Sequence, residues 1–141
     1  MTPDQLHVVE TTARRLDADR RRFADTFYNR LFEVAPHTRE LFPDDLSAQK
    51  EKLVDEVTFL AGAASDLDTF VARASELGAR HHGYGVHVAD YTSVEVALIA
   101  GVEAVLGDDA TPEVLDAWRR LYRLISETMI DGARDELYTV T

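Results

Sequence analysis

Residues 66–91 read DLDTFVARASELGARHHGYGVHVADY, and this stretch decides the fold. Its apolar residues recur every three or four positions, which is the spacing of one face of an α-helix. The members of this face are Leu67, Phe70, Val71, Ala74, Leu77 and Gly78. The next position on the same face is His81, whereas His82 is rotated by about 100° away from it. The stretch therefore predicts a helix that ends with a core-facing imidazole.

The end of this helix is predicted by Gly83 and Gly85, which flank Tyr84, because glycine accepts the left-handed backbone conformations found at helix ends. A single histidine on an apolar face is more often a core residue that hydrogen-bonds a carbonyl group than a metal ligand. This helix alone leaves both interpretations of His81 open, so the evidence for a ligand has to come from other helices.

The composition is typical of one globular domain, since apolar residues make up 45% and charged residues 29% of the 141 positions. With 15 Lys and Arg against 26 Asp and Glu, the net charge of −11 argues against binding to nucleic acids or anionic membranes. There are no cysteines, which excludes disulfides and thiolate metal sites and fits a reducing compartment. The N-terminus has no apolar run of signal-peptide length, and no segment reaches the ~20 apolar residues of a membrane span. We therefore expect a single cytoplasmic domain over residues 1–141.

The rest of the chain predicts an all-α fold, because glycines and prolines lie where helices begin or end and no hairpin turn separates alternating strands. The clearest helix start is Thr2-Pro3-Asp4-Gln5, in which Thr2 is the N-cap and Gln5 lies at the capping-box position. Six to seven helices are expected in total. Besides the central stretch, they are expected at about 3–16, 19–34, 36–41, 47–64, 88–106 and 112–138.

The helix expected at 47–64 also carries a polar residue within its apolar stripe. This stripe consists of Leu46, Gln49, Leu53, Val57, Leu60 and Ala64. A buried amide must find a hydrogen-bond partner, or its burial costs a few kcal/mol. Because Gln49 falls in the first turn, exposure to water is the simpler interpretation when this helix is considered alone.

Most chemistry-bearing motifs are absent: the sequence has no Gly-rich phosphate loop, nucleophile elbow, HExxH motif or EF-hand loop. His7 and His37 are expected on the surface. What remains is an imidazole, His81, and an amide, Gln49, in otherwise apolar helix faces. A pocket between them suits a flat, apolar metal cofactor that the imidazole ligates from one side while the amide lies on the other.

Several short motifs follow one another in a fixed order along the chain. They are ThrPheTyr-x-x-LeuPhe at 26–32, Pro36, LeuPhe at 41–42, Gln-x-x-x-Leu at 49–53, ArgHis at 80–81, GlyVal at 85–86, Tyr91, and the run from Leu106 to Trp118. Each motif is weak alone, but their order is fairly specific. Between about Arg22 and Tyr138 the chain resembles the bacterial single-domain globins related to the haem domain of flavohaemoglobins. This resemblance implies a globin fold, with six to seven helices around a haem pocket.

The resemblance implies a role for each matching residue. His81 resembles the proximal histidine that ligates the iron of haem b, and Phe42 matches the aromatic residue that packs against the porphyrin. Gln49 and Leu53 match the polar and the apolar distal residue. Tyr28 matches the distal tyrosine, whose hydroxyl can donate a hydrogen bond to a bound gas molecule.

On the proximal side, Tyr91 matches a tyrosine that hydrogen-bonds the histidine in flavohaemoglobin-like globins. The glutamate that accompanies this tyrosine in the family is replaced by Ala133. The corner between Phe42 and Gln49 is also shorter than in the family. The resemblance therefore implies a proximal side without the carboxylate that would raise the basicity of the histidine.

The expected function is reversible binding of O2, and of CO or NO, at a histidine-ligated haem b without covalent attachment, for oxygen transport, storage or sensing. One alternative is NO dioxygenation with an external reductase, because these 141 residues contain no flavin or nicotinamide domain. Another is a haem-free globin-fold module that acts through helix contacts. No catalytic side chain is expected, and association into a homodimer is left open.

Overall fold

The computed structural model describes residues 1–83 and 85–139, with side chains through residue 134, and it is built of helices. Six α-helices are α1 (Pro3–Ala18), α2 (Arg20–Val34), α3 (Ser47–Ala63), α4 (Leu67–Gly83), α5 (Val88–Leu106) and α6 (Pro112–Thr139). Two short 3₁₀ helices are η1 (Pro36–Leu41) and η2 (Gly107–Asp109). The described residues contain no strand, so the all-α prediction is confirmed. None of the helices, as far as they are described, combines the length and the apolar character needed to cross a membrane.

The helix boundaries follow the local signals in the sequence. The backbone N–H of Gln5 donates to Thr2 Oγ1 at 3.1 Å, and the backbone N–H of Thr2 donates to Gln5 Oε1 at 2.9 Å, which completes the predicted capping box of α1. At the other predicted boundary, α4 ends at Gly83. Gly85 has a φ of +87°, a conformation that favours glycine. Tyr84, which lies between the two glycines, is outside the described residues.

The core forms where α2 crosses α5 and where α6 packs on α1. Gly101 of α5 lets the Phe23 ring of α2 approach closely, because a Cβ atom at position 101 would lie 2.8 Å from Phe23 Cδ2. On the other side, Trp118 is fully buried and its indole Nε1–H donates to Thr12 Oγ1 at 2.8 Å. The core thus joins the first, second, fifth and sixth α-helices into one body.

The C-terminal half of α4 lies very close to α6. A Cβ atom at Gly78 would lie 1.9 Å from the Met129 carbonyl oxygen, and one at Gly132 would lie 2.2 Å from that of Ser75. Since residues 75 and 78 of α4 oppose residues 132 and 129 of α6, the two helices run antiparallel. Two glycines, one on each helix, therefore permit backbone-to-backbone contact three residues before His81.

The apolar face predicted for α4 is narrower than expected. Phe70, Ala74 and Gly78 are buried, but Leu67 is 63% exposed and Val71 is 40% exposed. The buried residues follow a single line with a spacing of four residues, along which α6 approaches the α4 backbone. Leu67 and Val71 lie at the margin of that line, so the prediction that they face the core is wrong.

Candidate functional site

His81 lies in the last turn of α4, where its side chain is half-buried. Its Nδ1 atom lies 2.8 Å from the backbone carbonyl oxygen of Leu77, one helical turn earlier. Because a carbonyl oxygen only accepts, Nδ1 carries the proton and donates. In the neutral ring the other nitrogen, Nε2, then carries the lone pair.

The surroundings of His81 favour the neutral ring. Burial lowers the pKa of His81 below its usual range, and the positive charge of Arg80 acts in the same direction. The hydrogen bond to Leu77 and the negative charge of Glu56 oppose this without reversing it. A neutral imidazole is the form that binds a metal. Glu56, a residue of α3, lies close enough to His81 to act on its charge.

Tyr28 is the centre of an aromatic cluster on α2. Its side chain is 3% exposed, and it packs edge-on against Phe27 and Phe42, with ring centroids 5.0 and 5.5 Å away. Phe32 completes the cluster at 5.9 Å from Tyr28 and 5.8 Å from Phe42. This packing fixes the Tyr28 ring and brings it together with Phe42.

Gln49 of α3 faces the hydroxyl of Tyr28. Burial raises the pKa of Tyr28 to about 12, and the Gln49 side chain, as a hydrogen-bonding partner of the phenol, acts in the opposite direction. The phenol is therefore protonated at neutral pH and can donate a hydrogen bond. Gln49 is half-buried rather than exposed, so of the two interpretations of this residue the structure favours the inward one.

The corner that carries Phe42 is held by Arg39, which sequence reasoning missed. The Arg39 guanidinium donates to the carbonyl oxygens of Phe42, Pro43 and Asp44 at 3.3, 3.0 and 3.1 Å. Its central carbon also lies 5.3 Å from the centre of the Phe32 ring, within the range of a cation–π contact. One side chain thus closes the turn after η1 and covers the aromatic cluster.

The remaining predicted residues flank these groups. Leu53 on α3 is half-buried and packs against the core, as does Tyr91 on α5. Burial and the nearby Asp90 charge raise the pKa of Tyr91 above its usual value. The hydroxyl of Tyr122 donates to the backbone carbonyl of Tyr91 at 2.6 Å, which ties this turn of α5 to α6. Ala133 is half-buried on α6, next to the closely packed Gly132.

Two histidines predicted on the surface, His7 and His37, are indeed exposed, but His37 also hydrogen-bonds a buried carboxylate. Its Nε2–H donates to Asp90 Oδ1 at 2.7 Å, although Asp90 lies 53 positions further along the chain. The Asp90 side chain is only 6% exposed. No sequence signal pointed to this pair, because neither residue interrupts an apolar stripe. His7 is exposed on α1, as predicted.

A surface groove of about 610 Å³ lies away from these residues. It runs along α5 and is bordered by Arg30 and Arg119. Its lining includes none of the residues predicted for the site. In the part of the chain that the structure describes, no three His, Cys, Asp or Glu side chains are grouped closely enough to hold a metal ion between them.

A model of the Globin family matches residues 25–129, which cover most of the chain. Among similar proteins are two named flavohemoprotein. That of Bacillus subtilis (strain 168) is 24% identical over 94% of this chain, and that of Xylella fastidiosa (strain Temecula1) is 31% identical over 92%. These alignments cover 34% and 33% of the two relatives. The chain therefore spans about one third of the length of the relatives it matches.

Solved structures with the same fold include an engineered carbene transferase derived from a Rhodothermus marinus protein that is assigned as a nitric oxide dioxygenase. It superposes with a TM-score of 0.86 at 24% identity, covering 99% of this chain and 97% of that protein. A bacterial globin from Campylobacter jejuni superposes with a TM-score of 0.85 at 20% identity, covering 98% of this chain and 99% of the globin. At these identities the likeness establishes the fold.

Proposed function

Because the chain belongs to the globin family, we propose that it binds haem through His81 and holds a diatomic gas between the haem and Tyr28. The observation that carries this proposal is the state of the His81 imidazole. Its Nδ1–H donates to the Leu77 carbonyl, and burial lowers the pKa of the ring, so the imidazole is neutral. A single neutral imidazole is the proximal ligand that globins use.

The apolar residues of α3 and of the corner before it suit a flat, apolar group. Leu53 and Val57 of α3 are half-buried apolar side chains, and Phe42 presents an aromatic ring at the corner before α3. Such walls suit a porphyrin, which is largely apolar and planar. The chain has no cysteine to form the thioether links of c-type haem, so the fitting cofactor is haem b held without a covalent link.

Bound haem iron would supply the open coordination position at which O2, CO or NO binds. The role of this chain is then to position a hydrogen-bond donor above that position. The buried Tyr28 is protonated and fixed by Phe27 and Phe42, so its hydroxyl is held ready to donate. Donation to a ligand that carries partial negative charge would stabilise it by about 1–3 kcal/mol. Gln49 is a hydrogen-bonding partner of the same hydroxyl.

We propose reversible gas binding in the cytoplasm as the physiological use, in transport, storage or sensing. The cysteine-free composition supports this location because it fits a reducing compartment. The proposed site is formed by packed helices, and the rings of Phe27, Phe32 and Phe42 hold Tyr28 in place. These features support binding more directly than turnover.

The test is an absorption spectrum of the purified protein after reconstitution with haem, in the oxidised, reduced and CO-treated states. We expect a Soret band that shifts with CO in the wild type, and its loss or marked change in His81→Ala. His7→Ala is the matched control, since His7 is an exposed histidine on α1. A wild-type protein that stays colourless with added haem would reject the proposal and leave the haem-free interaction module.

A second candidate function is NO dioxygenation with a separate reductase. It is supported by the similarity to two flavohemoproteins that are about three times as long as this chain. Tyr28 would hold the gas ligand in this reaction as well, while electrons would come from another protein. Rapid mixing of the oxygenated protein with NO, followed by repeated cycles with a reductase, tests this. Slow re-reduction by every donor tried would exclude catalysis.

A further inference from the structure

Asp90 is a buried carboxylate that lies outside the proposed gas-binding site. It stands in the first turn of α5, and its side chain is 6% exposed. Burial alone would raise its pKa, but hydrogen bonds from His37 and from the His87 backbone, with the charges of both imidazoles, hold the pKa below its usual range. A buried charge is tolerated only with such partners. Asp90 is therefore ionised, and both of its carboxylate oxygens accept hydrogen bonds.

The two partners of Asp90 come from different segments of the chain. His37 of η1 donates from Nε2 to Asp90 Oδ1 at 2.7 Å, and the backbone N–H of His87 donates to Asp90 Oδ2 at 3.0 Å. The backbone N–H of Asp90 in turn donates to the His87 carbonyl oxygen at 2.9 Å. Each carboxylate oxygen thus holds a separate segment against the start of α5.

These two segments adjoin opposite sides of the proposed pocket. η1 ends at Leu41, directly before Phe42, whose ring packs on Tyr28. The segment before His87 follows α4, and the Val86 backbone N–H donates to the carbonyl of His81 at 3.2 Å. Asp90 is therefore connected through short, hydrogen-bonded stretches of backbone to the aromatic corner on one side and to His81 on the other.

We infer that Asp90 and His37 are positioning residues that couple the Phe42 corner to the segment after His81. Through this coupling they fix the positions of both sides of the pocket relative to each other. This inference rests on the proposed haem-binding function. Besides His37 and His87, the Tyr91 phenol lies close enough to interact electrostatically with Asp90, from the same helix. None of these groups touches the gas ligand directly; they act through Phe42 and His81.

The experiment compares wild type with His37→Ala, His37→Gln and the control His7→Ala, each loaded with haem. Resonance Raman spectra report the iron–histidine stretch on the side of His81 and the iron–CO stretch on the side of Tyr28. We expect His37→Ala to shift both bands and to change the O2 dissociation rate by about fivefold, equivalent to ~1 kcal/mol. His37→Gln keeps an N–H donor for Asp90 and is expected to restore the wild-type bands.

A double-mutant cycle with Asp90→Ala separates coupling from general stabilisation. If the pair acts as one unit, His37→Ala causes no further shift in the Asp90→Ala background. Where Asp90→Ala does not fold, Asp90→Asn replaces it in the cycle, because it preserves the shape and removes the charge. A His37→Ala variant that lowers only the melting temperature, or shifts only one band, would overturn the inference. A wild type without a Soret band would overturn the proposed function together with it, whereas normal wild-type spectra with unshifted variants overturn the inference alone.

Discussion

Replacing Gly78 with alanine is expected to destabilise the domain and to disturb His81. Gly78 lies three residues before His81 on α4, at the point where this helix meets α6. An added Cβ atom would lie 1.9 Å from the carbonyl oxygen of Met129 and 2.5 Å from its carbonyl carbon and Cα. All three are backbone atoms, so no side-chain rotation can relieve the contact. The two helices would have to separate.

The expected size of the effect follows from two opposing contributions. Overpacking a core costs about 1–3 kcal/mol and occasionally more, and a backbone clash belongs at or above the upper end of that range. Alanine has a better helix propensity than glycine and returns about 1 kcal/mol. We therefore expect a net loss of ~2–3 kcal/mol in the free energy of unfolding. For a domain of this size, that corresponds to a melting temperature lower by roughly 6–12 °C.

The assay is urea unfolding followed by far-ultraviolet circular dichroism, with Gly62→Ala as the matched control. Gly62 also lies inside an α-helix, but a Cβ atom there would meet nothing within 4 Å. Gly62→Ala is expected to be neutral or to stabilise by up to about 1 kcal/mol. After loading with haem, only Gly78→Ala is expected to alter the Soret band, because it displaces the helix that carries His81.

Gly132→Ala provides an internal check, since its Cβ atom would lie 2.2 Å from the Ser75 carbonyl oxygen across the same contact. Once one substitution has separated α4 from α6, the second is expected to cost less than it does alone. Equal stability of Gly78→Ala and Gly62→Ala would show that the close contact is not present in solution, and the argument that it positions His81 would fail.

Three further predictions concern hydroxyl groups. Tyr28→Phe removes the proposed donor to the gas ligand, so O2 is expected to dissociate about 10- to 100-fold faster in stopped-flow measurements; an unchanged rate would exclude Tyr28 as the donor. The folded-state pKa of Tyr28 is about 12, above the ~10 of an unfolded chain, so its contribution to stability is complete below pH 10 and is lost as the pH rises toward 12. Urea titrations across that range are expected to show falling stability, with a smaller fall in Tyr28→Phe; Tyr122, whose pKa is also raised by burial, contributes in the same direction. Thr12→Val leaves the buried indole N–H of Trp118 without its acceptor and is expected to lower the free energy of unfolding by about 1–3 kcal/mol. Thr11→Val, at an exposed position on the same helix, is expected to lower it by less than about 1 kcal/mol. Equal losses in the two variants would show that the indole contact does not stabilise the fold.

The helix boundaries were predictable because their determinants are local. Thr2 and Gln5 form the capping box of α1 from residues three positions apart, and Gly83 ends α4 where the periodic pattern stops. In each case the chemistry that starts or ends the helix is contained in a few consecutive residues. The order of the globin motifs added the topology, which no local signal contains, and the fold was confirmed.

The orientation of single side chains was less predictable, because it depends on what packs against them. The period places both Gln49 and Leu67 on inward faces, yet Gln49 is half-buried against Tyr28 and Leu67 is 63% exposed. A buried tyrosine on another helix decides the first case, and the narrow contact between α4 and α6 decides the second. The period of the sequence predicts which residues share a helix face. How much of that face is buried depends on the helix that packs against it.

Contacts between polar residues far apart in the sequence were not predictable at all. The His37–Asp90 hydrogen bond spans 53 positions. Arg39 donates to three backbone carbonyl groups, and because a carbonyl accepts from any donor, the sequence does not single out this arginine. Neither contact leaves a pattern in composition or spacing. Gly78 is an intermediate case. Its place on the apolar face was predictable from the helical period, but the requirement for glycine at this position arises from the Met129 backbone on α6.

The two sides of the proposed pocket are built by different parts of the fold. His81 depends on the close approach of α4 to α6, where Gly78 lies against the Met129 backbone and Gly132 against the Ser75 backbone. Tyr28 depends on the aromatic packing of α2 against the corner that Arg39 closes. Substitutions in one region therefore leave the other region's own packing intact, unless a connection transmits the change. The Asp90 carboxylate provides such a connection, since its two oxygens hold η1 and the segment after α4 to the same helical turn.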